Sequence, residues 1–222
     1  MRQSSRRQLT LFVPEGVAAV LEPIRERMDP VQHRLIPAHV TLCRDDELAG
    51  ISTAELSARV ATMGQPPLTL QFGPGESFDE HGVLLPCIAG QEAYHRLRVA
   101  LLRSEGIQHS RAHITIAHPR NPRAPWNLPS TYEALAAPLS ITFTKVSLIE
   151  QEAGEPWQIL DAGNLVLGAG PPLQTEVVKD SSKRFAPTSA GSPRCCDHSR
   201  ASSQVTMSAI TLSRPRSFNR SW

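Results

Sequence analysis

The chain has 222 residues, of which 40% are apolar and 20% are charged, a balance typical of a globular protein with a substantial core. Its formal net charge of +2 is unevenly distributed, because residues 171–222 carry eight Lys or Arg against three Asp or Glu, whereas residues 1–170 carry fifteen against eighteen. The resulting charge of −3 over the first 170 residues excludes a broadly basic nucleic-acid-binding protein.

The first half of the chain is predicted to alternate strands and helices. Pro14 and Glu15 suit the start of a helix whose apolar residues recur at helical spacing, and the step from Asp29 to Pro30 ends it. Thr53 is predicted to cap the next helix. The predicted strands span residues 8–13, 38–42 and 67–72, and the predicted helices span residues 15–28 and 53–63.

The second half is predicted to repeat this order before two closing strands. A proline-rich loop at 120–129 separates the repeat from those strands, and Ala153-Gly154 gives a hairpin signal between them. Gly106 is predicted to end the helix of this second half. The predicted strands span residues 82–88, 112–116, 139–150 and 157–160, and the predicted helix spans residues 91–104.

A short phrase occurs twice in the chain, 74 positions apart. Residues 38–42 read Ala-His-Val-Thr-Leu and residues 112–116 read Ala-His-Ile-Thr-Ile. The same shift of 74 lays residues 9–13 over residues 83–87, so that strand, helix and motif return in register. We interpret this as an internal duplication.

Each copy of the motif places its histidine and threonine on one face of a strand, because side chains alternate with a period of two. Two such strands facing each other would bring His39, Thr41, His113 and Thr115 to one cleft. An imidazole with a pKa near 6.5 accepts or donates a proton near neutrality. The pattern therefore predicts a general base and a general acid on opposite sides of a phosphorus atom, with the two hydroxyls on its oxygens.

Other catalytic chemistries fit the residues less well. Each motif offers one imidazole and a neutral hydroxyl, which is a poor set for zinc, so neither a metal nor a cofactor is predicted. Cys43 would reach the face of His39 only if the strand continued regularly, and it is a weak candidate nucleophile. Arg44 and Arg120 follow the two motifs and are candidate phosphate ligands, although solvated charges at strand ends explain them equally well. Arg34 and Arg111 are weaker candidates.

These motifs, in a duplicated α/β unit, resemble the two-histidine (2H) phosphoesterase superfamily and its bacterial 2′-5′ RNA ligase branch. The resemblance covers roughly residues 8–165. It implies an α+β, bilobal fold with two antiparallel-rich sheets flanked by helices around a central cleft. It also implies that His39 and His113 are the acid/base pair and that Thr41 and Thr115 bind phosphate. The base-stacking aromatics of the superfamily have no secure counterpart, and Phe72 and Phe78 are the candidates.

The expected function is a metal-independent 2′,3′-cyclic phosphodiesterase that acts on RNA ends or cyclic nucleotides, with 2′-5′ joining when a 5′-hydroxyl replaces water. Which histidine acts as the base in hydrolysis is left open. One alternative is an RNA-end or nucleotide-phosphate binding module without turnover. Another is a hydrolase of small cyclic nucleotides or of ADP-ribose cyclic phosphate.

The sequence also gives expectations about localisation and about the C-terminal part of the chain. The four cysteines show no spacing for a disulfide framework, no stretch approaches the roughly 20 apolar residues of a membrane span, and no signal peptide is recognised. We expect a cytoplasmic monomer. Residues 1–168 are predicted to form the domain, and residues 169–222, rich in serine, proline and arginine, are predicted to be a disordered tail.

Overall fold

The computed structural model describes residues 5–135 and 138–166, which form two antiparallel sheets and five helices. The predicted tail lies outside the described residues, and so does the predicted boundary at 168. The first sheet has the strand order β2-β1-β8-β9. Its strands are β1 (Ser5–Phe12), β2 (His39–Cys43), β8 (Lys145–Glu152) and β9 (Gln158–Asn164).

The second sheet is built around β5, which pairs with β6 along one edge and with β4 and β3 along the other. Strand β3 then pairs with β7, and every pairing in both sheets is antiparallel. The strands are β3 (Leu68–Phe72), β4 (Glu76–Phe78), β5 (Gly82–Ala89), β6 (His113–Ala117) and β7 (Leu139–Phe143).

The predicted duplication appears in the hydrogen-bonding register. The amide of Val13 donates to the carbonyl of Ala38 at 2.9 Å, and 74 residues later the amide of Cys87 donates to the carbonyl of Ala112 at 2.9 Å. The motif strands also pair in the same way, with Thr41 opposite Thr10 and Thr115 opposite Leu84. Two copies of one strand-helix-strand unit therefore place the two motifs in equivalent positions.

Both copies contain an irregularity at the same point of the pairing. In the first, the register shifts between Leu9 and Thr10, and Cys43 pairs with Leu9. In the second, the register shifts between Val83 and Leu84. A bulge of this kind adds one residue to one strand, so two successive residues of the motif strand turn to the core. Cys43 is accordingly fully buried and does not share the face of His39.

The three longer helices, α1, α3 and α4, pack on the sheets, whereas the short α2 and α5 contact α1. Helix α3 packs on β8 and β9, while α1 contacts β6 and α4 contacts β2, so each repeat's helix packs on the motif strand of the other repeat. The buried apolar residues of both sheets form one continuous cluster. The helices are α1 (Glu15–Met28), α2 (Pro30–Leu35), α3 (Thr53–Thr62), α4 (Gln91–Leu102) and α5 (Pro129–Tyr132).

One close contact between α3 and β9 requires a glycine. A Cβ atom at Gly163 would lie 2.1 Å from the carbonyl oxygen of Val60, which no real packing tolerates. The missing side chain lets the helix approach the strand through its backbone. The first sheet and its covering helix are therefore fixed in contact at this position.

The helix ends differ in detail from the predictions. Ser52, rather than Thr53, caps α3, because its side chain accepts a hydrogen bond from the amide of Glu55. Helix α4 ends at Leu102, four residues before the predicted stop at Gly106, and Arg103 follows it in the left-handed conformation. Ser52 thus caps its helix through its side chain, whereas the backbone amide of Arg103 donates to the carbonyl of Val99 and closes the last turn of α4.

Three short elements were not predicted, and one predicted strand is two strands. Helices α2 and α5 and strand β4 lie in segments for which no helix or strand was predicted. The predicted strand at 139–150 breaks at Thr144, and its halves β7 and β8 belong to different sheets. Within the described part of the chain, no helix combines the length and apolar character needed to cross a bilayer.

Candidate functional site

The two motif strands are in contact, and each presents its histidine and threonine on its own accessible face. Strands β2 and β6 are in contact, and both show the same burial pattern. His39, Thr41, His113 and Thr115 are half-buried, whereas Val40 and Ile114 between them are fully buried. The alternation predicted from the sequence is therefore present in both strands.

Each imidazole is held by the carbonyl two residues before it. Nδ1 of His39 lies 2.8 Å from the carbonyl oxygen of Pro37, and Nδ1 of His113 lies 3.0 Å from that of Arg111. A carbonyl only accepts, so each Nδ1 carries a proton and donates it. The neutral form then has its lone pair on Nε2. Both rings thus offer the same nitrogen for proton transfer.

The protein environment lowers the pKa of both histidines. Burial lowers the pKa of His39 from 6.5 to about 4, with smaller contributions from the charges of Arg25 and His113. Burial also lowers the pKa of His113, and the charge of Arg111 adds to this. The unperturbed value near 6.5 used in the sequence argument was therefore wrong for this site. Both imidazoles are neutral at neutral pH until an anion lies beside them.

The threonine of the first motif is oriented by a residue that the sequence argument missed. Nε2 of Gln8 donates to Oγ1 of Thr41 at 3.1 Å, so the hydroxyl proton of Thr41 remains available to an anion. Phe12 pairs with His39 across the strands, and the two rings meet edge to face with centroids 6.4 Å apart. Gln8 and Phe12 lie on the same face of β1. They reach the motif only because β1 pairs with β2, and this pairing has no signal in the local sequence.

Hydrogen bonds from outside the strands fix the start of each motif. The amide of Ala38 donates to Oε1 of Glu22 at 2.5 Å, and Oε2 of Glu22 is ion-paired with the buried Arg25 at 2.6 Å. In the second copy the amide of Ala112 donates to Oε1 of Gln91 at 2.9 Å. The residue before each catalytic candidate is therefore anchored by a side chain from a neighbouring helix.

The two predicted arginines do not act on the histidines in this structure. Arg44 is ion-paired with Asp46 at 2.9 Å, and the exposed Arg120 lowers the pKa of His118. The guanidinium groups that act on His39 and His113 are those of Arg25 and Arg111. The phosphate-binding role of Arg44 and Arg120 stays a prediction.

A family model for the 2′-5′ RNA ligase superfamily matches residues 13–155. The chain belongs to this superfamily. A search of the curated proteins found no match.

Solved structures show the same fold as this superfamily member. Apo LigT of E. coli is similar over 74% of this chain and 99% of its own, with 17% identity and a TM-score of 0.51. E. coli LigT with phosphate has 17% identity and a TM-score of 0.49, and TT0787 of Thermus thermophilus has 18% and 0.48; each match covers 74% of this chain and 99% of the other. The α+β fold expected from the resemblance is confirmed.

The candidate residues outside the two motifs are less suited to a role in the site than the motif residues. Phe72 is fully buried in the core, and Phe78 is half-buried at the end of β4. Burial raises the pKa of the Cys43 thiol to about 12, which keeps it protonated and unreactive. In the described ranges, no three His, Cys, Asp or Glu side chains are grouped as metal ligands.

A cavity on the first sheet lies away from both histidines. Its volume is about 200 Å³, and it is lined by Glu150, Glu152, Glu155, Pro156 and Gln158. Its acidic lining repels an anionic substrate, and none of its residues belongs to a motif strand. The accessible faces of β2 and β6 therefore remain the candidate site.

Proposed function

We propose that this superfamily member is a metal-independent 2′,3′-cyclic phosphodiesterase that acts on RNA ends or nucleotides. The observation that supports it most directly is the equivalent placement of His39 and His113. Both rings donate through Nδ1 to the carbonyl two residues upstream, and both have Nε2 left for the substrate. Opening a cyclic phosphate needs one base and one acid, and this pair supplies both.

In the proposed reaction, Nε2 of one neutral imidazole takes a proton from water as the water oxygen bonds to phosphorus. The other imidazole, protonated, gives its Nε2 proton to the ribose oxygen as that oxygen leaves phosphorus. The product is a phosphate monoester with one new oxygen and a free ribose hydroxyl. The substrate's negative charge raises the lowered pKa of the acid, so protonation accompanies binding.

The two threonines hold the oxygens that do not break away from phosphorus. Thr41 and Thr115 occupy the same face as the histidines, and Gln8 orients the first hydroxyl. Hydroxyl donors stabilise charge that builds up on these oxygens in the transition state. Arg44 and Arg120 add positive charge in this proposal after reorienting towards the bound anion.

Joining of RNA ends follows from the same arrangement. A 5′-hydroxyl in place of water gives its proton to the same base as its oxygen bonds to phosphorus, and the 3′-oxygen takes the proton of the acid as it leaves, which forms a 2′-5′ bond. In the reverse of this step the two histidines exchange roles. We propose hydrolysis as the main reaction because water is abundant, whereas joining also requires a bound second RNA end. We further propose a monomer in the cytoplasm, supported by the free, buried thiols of Cys43 and Cys87.

The test is turnover of a nucleoside 2′,3′-cyclic phosphate with EDTA present. His39→Ala and His113→Ala should each lower kcat by at least about 100-fold, since each removes one proton transfer. His95→Ala is the control, because this ring stacks on His109 with centroids 4.2 Å apart, away from the motifs. Near-normal turnover by either motif variant contradicts the assignment. Binding without product in the unaltered protein favours a binding module.

A further inference from the structure

The two repeats differ in what their first strands bring to the site. Strand β1 brings Gln8 to Thr41 and Phe12 to His39. The residues 74 positions later are Gly82 and Pro86, which supply no comparable polar or aromatic side chain. The site is therefore richer in ligand-binding groups along β1, and this strand indicates where the rest of a substrate extends.

Arg6 lies on the same face of β1 as Gln8, two residues before it. Side chains on one face of a strand are spaced about 7 Å apart, so Arg6 stands about that far along the strand from the group that holds Thr41. Burial is the main cause of the lowered pKa of His118, which follows the second motif, and the charge of Arg6 makes a smaller contribution. Arg6 is thus near the site without being one of the groups on the reacting phosphate.

The guanidinium of Arg6 lies over an aromatic ring. Its Cζ lies 5.2 Å from the centroid of the Trp157 ring. Its Nε and NH2 both donate to Oε1 of Gln151, the first at 2.8 Å. Gln151 is 2% exposed, and its own Nε2 donates to the carbonyl of Glu155 at 2.7 Å, so the amide is fixed in this orientation.

This platform keeps its positive charge and an accessible surface. Arg6 is exposed, and among the described residues no carboxylate is ion-paired with it. Gln151 is neutral, and Glu150 and Glu152 point to the other face of β8, where they pair with Arg7 and Ser5. A planar cation supported from below by indole is a surface on which nucleobases stack.

We propose that the Arg6–Trp157 platform, together with Gln151, is a subsite for the nucleobase that precedes the terminal nucleotide of a single-stranded RNA. This proposal rests on the proposed function, because it takes the cyclic phosphate to lie between His39 and His113. It makes an RNA end, rather than a mononucleotide, the preferred substrate. The preference resides in binding, since the platform does not touch the reacting atoms.

The experiment compares a nucleoside 2′,3′-cyclic phosphate with a trinucleotide that ends in the same group. Arg6→Gln and Trp157→Leu should raise KM for the trinucleotide about fivefold to tenfold, as loss of one stacked base does, and leave kcat and the mononucleotide KM unchanged. Arg6→Lys keeps the charge but loses the flat face, so it should also raise the trinucleotide KM. Arg7→Gln is the matched control, because Arg7 lies on the opposite face and donates to Thr53.

The proposal is overturned if the variants affect both substrates equally, or if Arg6→Gln and Trp157→Leu have no effect. Arg6 would then only shield the Trp157 ring from solvent. If the unaltered protein turns over neither substrate, the proposed function fails by itself. The platform is then tested by fluorescence anisotropy with a labelled trinucleotide 3′-phosphate. Arg6→Gln should weaken its binding, as loss of one stacked base does, whereas unchanged binding rejects the subsite.

Discussion

The Nδ1 protons of His39 and His113 are both engaged by backbone carbonyls, and this single contact decides what each ring can do. It fixes the ring plane, selects the tautomer and leaves Nε2 for the substrate. It also works against the lowering of the pKa, because it favours the protonated ring, but burial is the larger effect on both residues. The rings are therefore set up to be neutral until a phosphate arrives.

The lowered pKa of His39 makes stability depend on pH. Between the unfolded value of 6.5 and the folded value of about 4, the unfolded chain binds a proton that the folded chain does not. The free energy of unfolding therefore falls as the pH falls through this interval, by roughly 3 kcal/mol for a shift of this size. Urea unfolding across the interval should show a smaller loss for His39→Asn than for the unaltered protein. Parallel pH curves for the two proteins would contradict the lowered pKa.

At the scale of elements, the fit between helix and strand depends on small features that periodicity does not reveal. The alternation of β2 and β6 and the helical spacing of α1 and α4 were predictable because each is a local pattern. The bulges that turn Cys43 into the core depend on the pairing of two strands and have no local signal. For the same reason the break at Thr144 was missed, since both of its flanks have the composition of a strand.

The contact of α3 with β9 gives a prediction for two glycines. Gly163→Ala would place a methyl group 2.1 Å from the carbonyl oxygen of Val60, so the helix must move away from the sheet. We expect the free energy of unfolding to fall by about 2 kcal/mol or more, as for overpacked cores. Gly16→Ala in α1 is the control, because its Cβ would meet no atom within 4 Å, and it should be neutral or slightly stabilising. Chemical denaturation measures both, and equal effects would show that the close approach is unimportant.

Across the whole molecule, the two repeats are tied together by one buried carboxylate. Asp29 caps α2 by accepting from the amide of Gln32, and it accepts from the amide of His118 and the side chain of Asn121, at 2.7 to 2.9 Å. These partners lie 89 and 92 residues away in the sequence. The sequence suggested only that Asp29 ends a helix, because its distant partners are brought to it by the fold.

Asp29→Ala should destabilise the protein and disturb the second motif together. The substitution leaves the amides of Gln32 and His118 and the amide group of Asn121 without their acceptor, and each unsatisfied buried donor costs about 1 to 3 kcal/mol. We expect a fall of about 3 kcal/mol or more in the free energy of unfolding and a reduced kcat. Glu92→Ala is the control, since its carboxylate pairs with Arg96 on the surface. Calorimetry together with turnover tests this, and unchanged melting of Asp29→Ala would contradict the role.

The last two strands of the first sheet come from the far end of the described chain. Strands β8 and β9 complete the sheet that β1 and β2 begin, while β7 and β3 complete the other. During synthesis, β1 leaves the ribosome with an unpaired edge, and more than a hundred further residues must follow before β8 can join it. The two repeats are therefore not separate folding units. Neither would be expected to become a stable protein if expressed alone, and a chaperone would meet the exposed edge of β1 first.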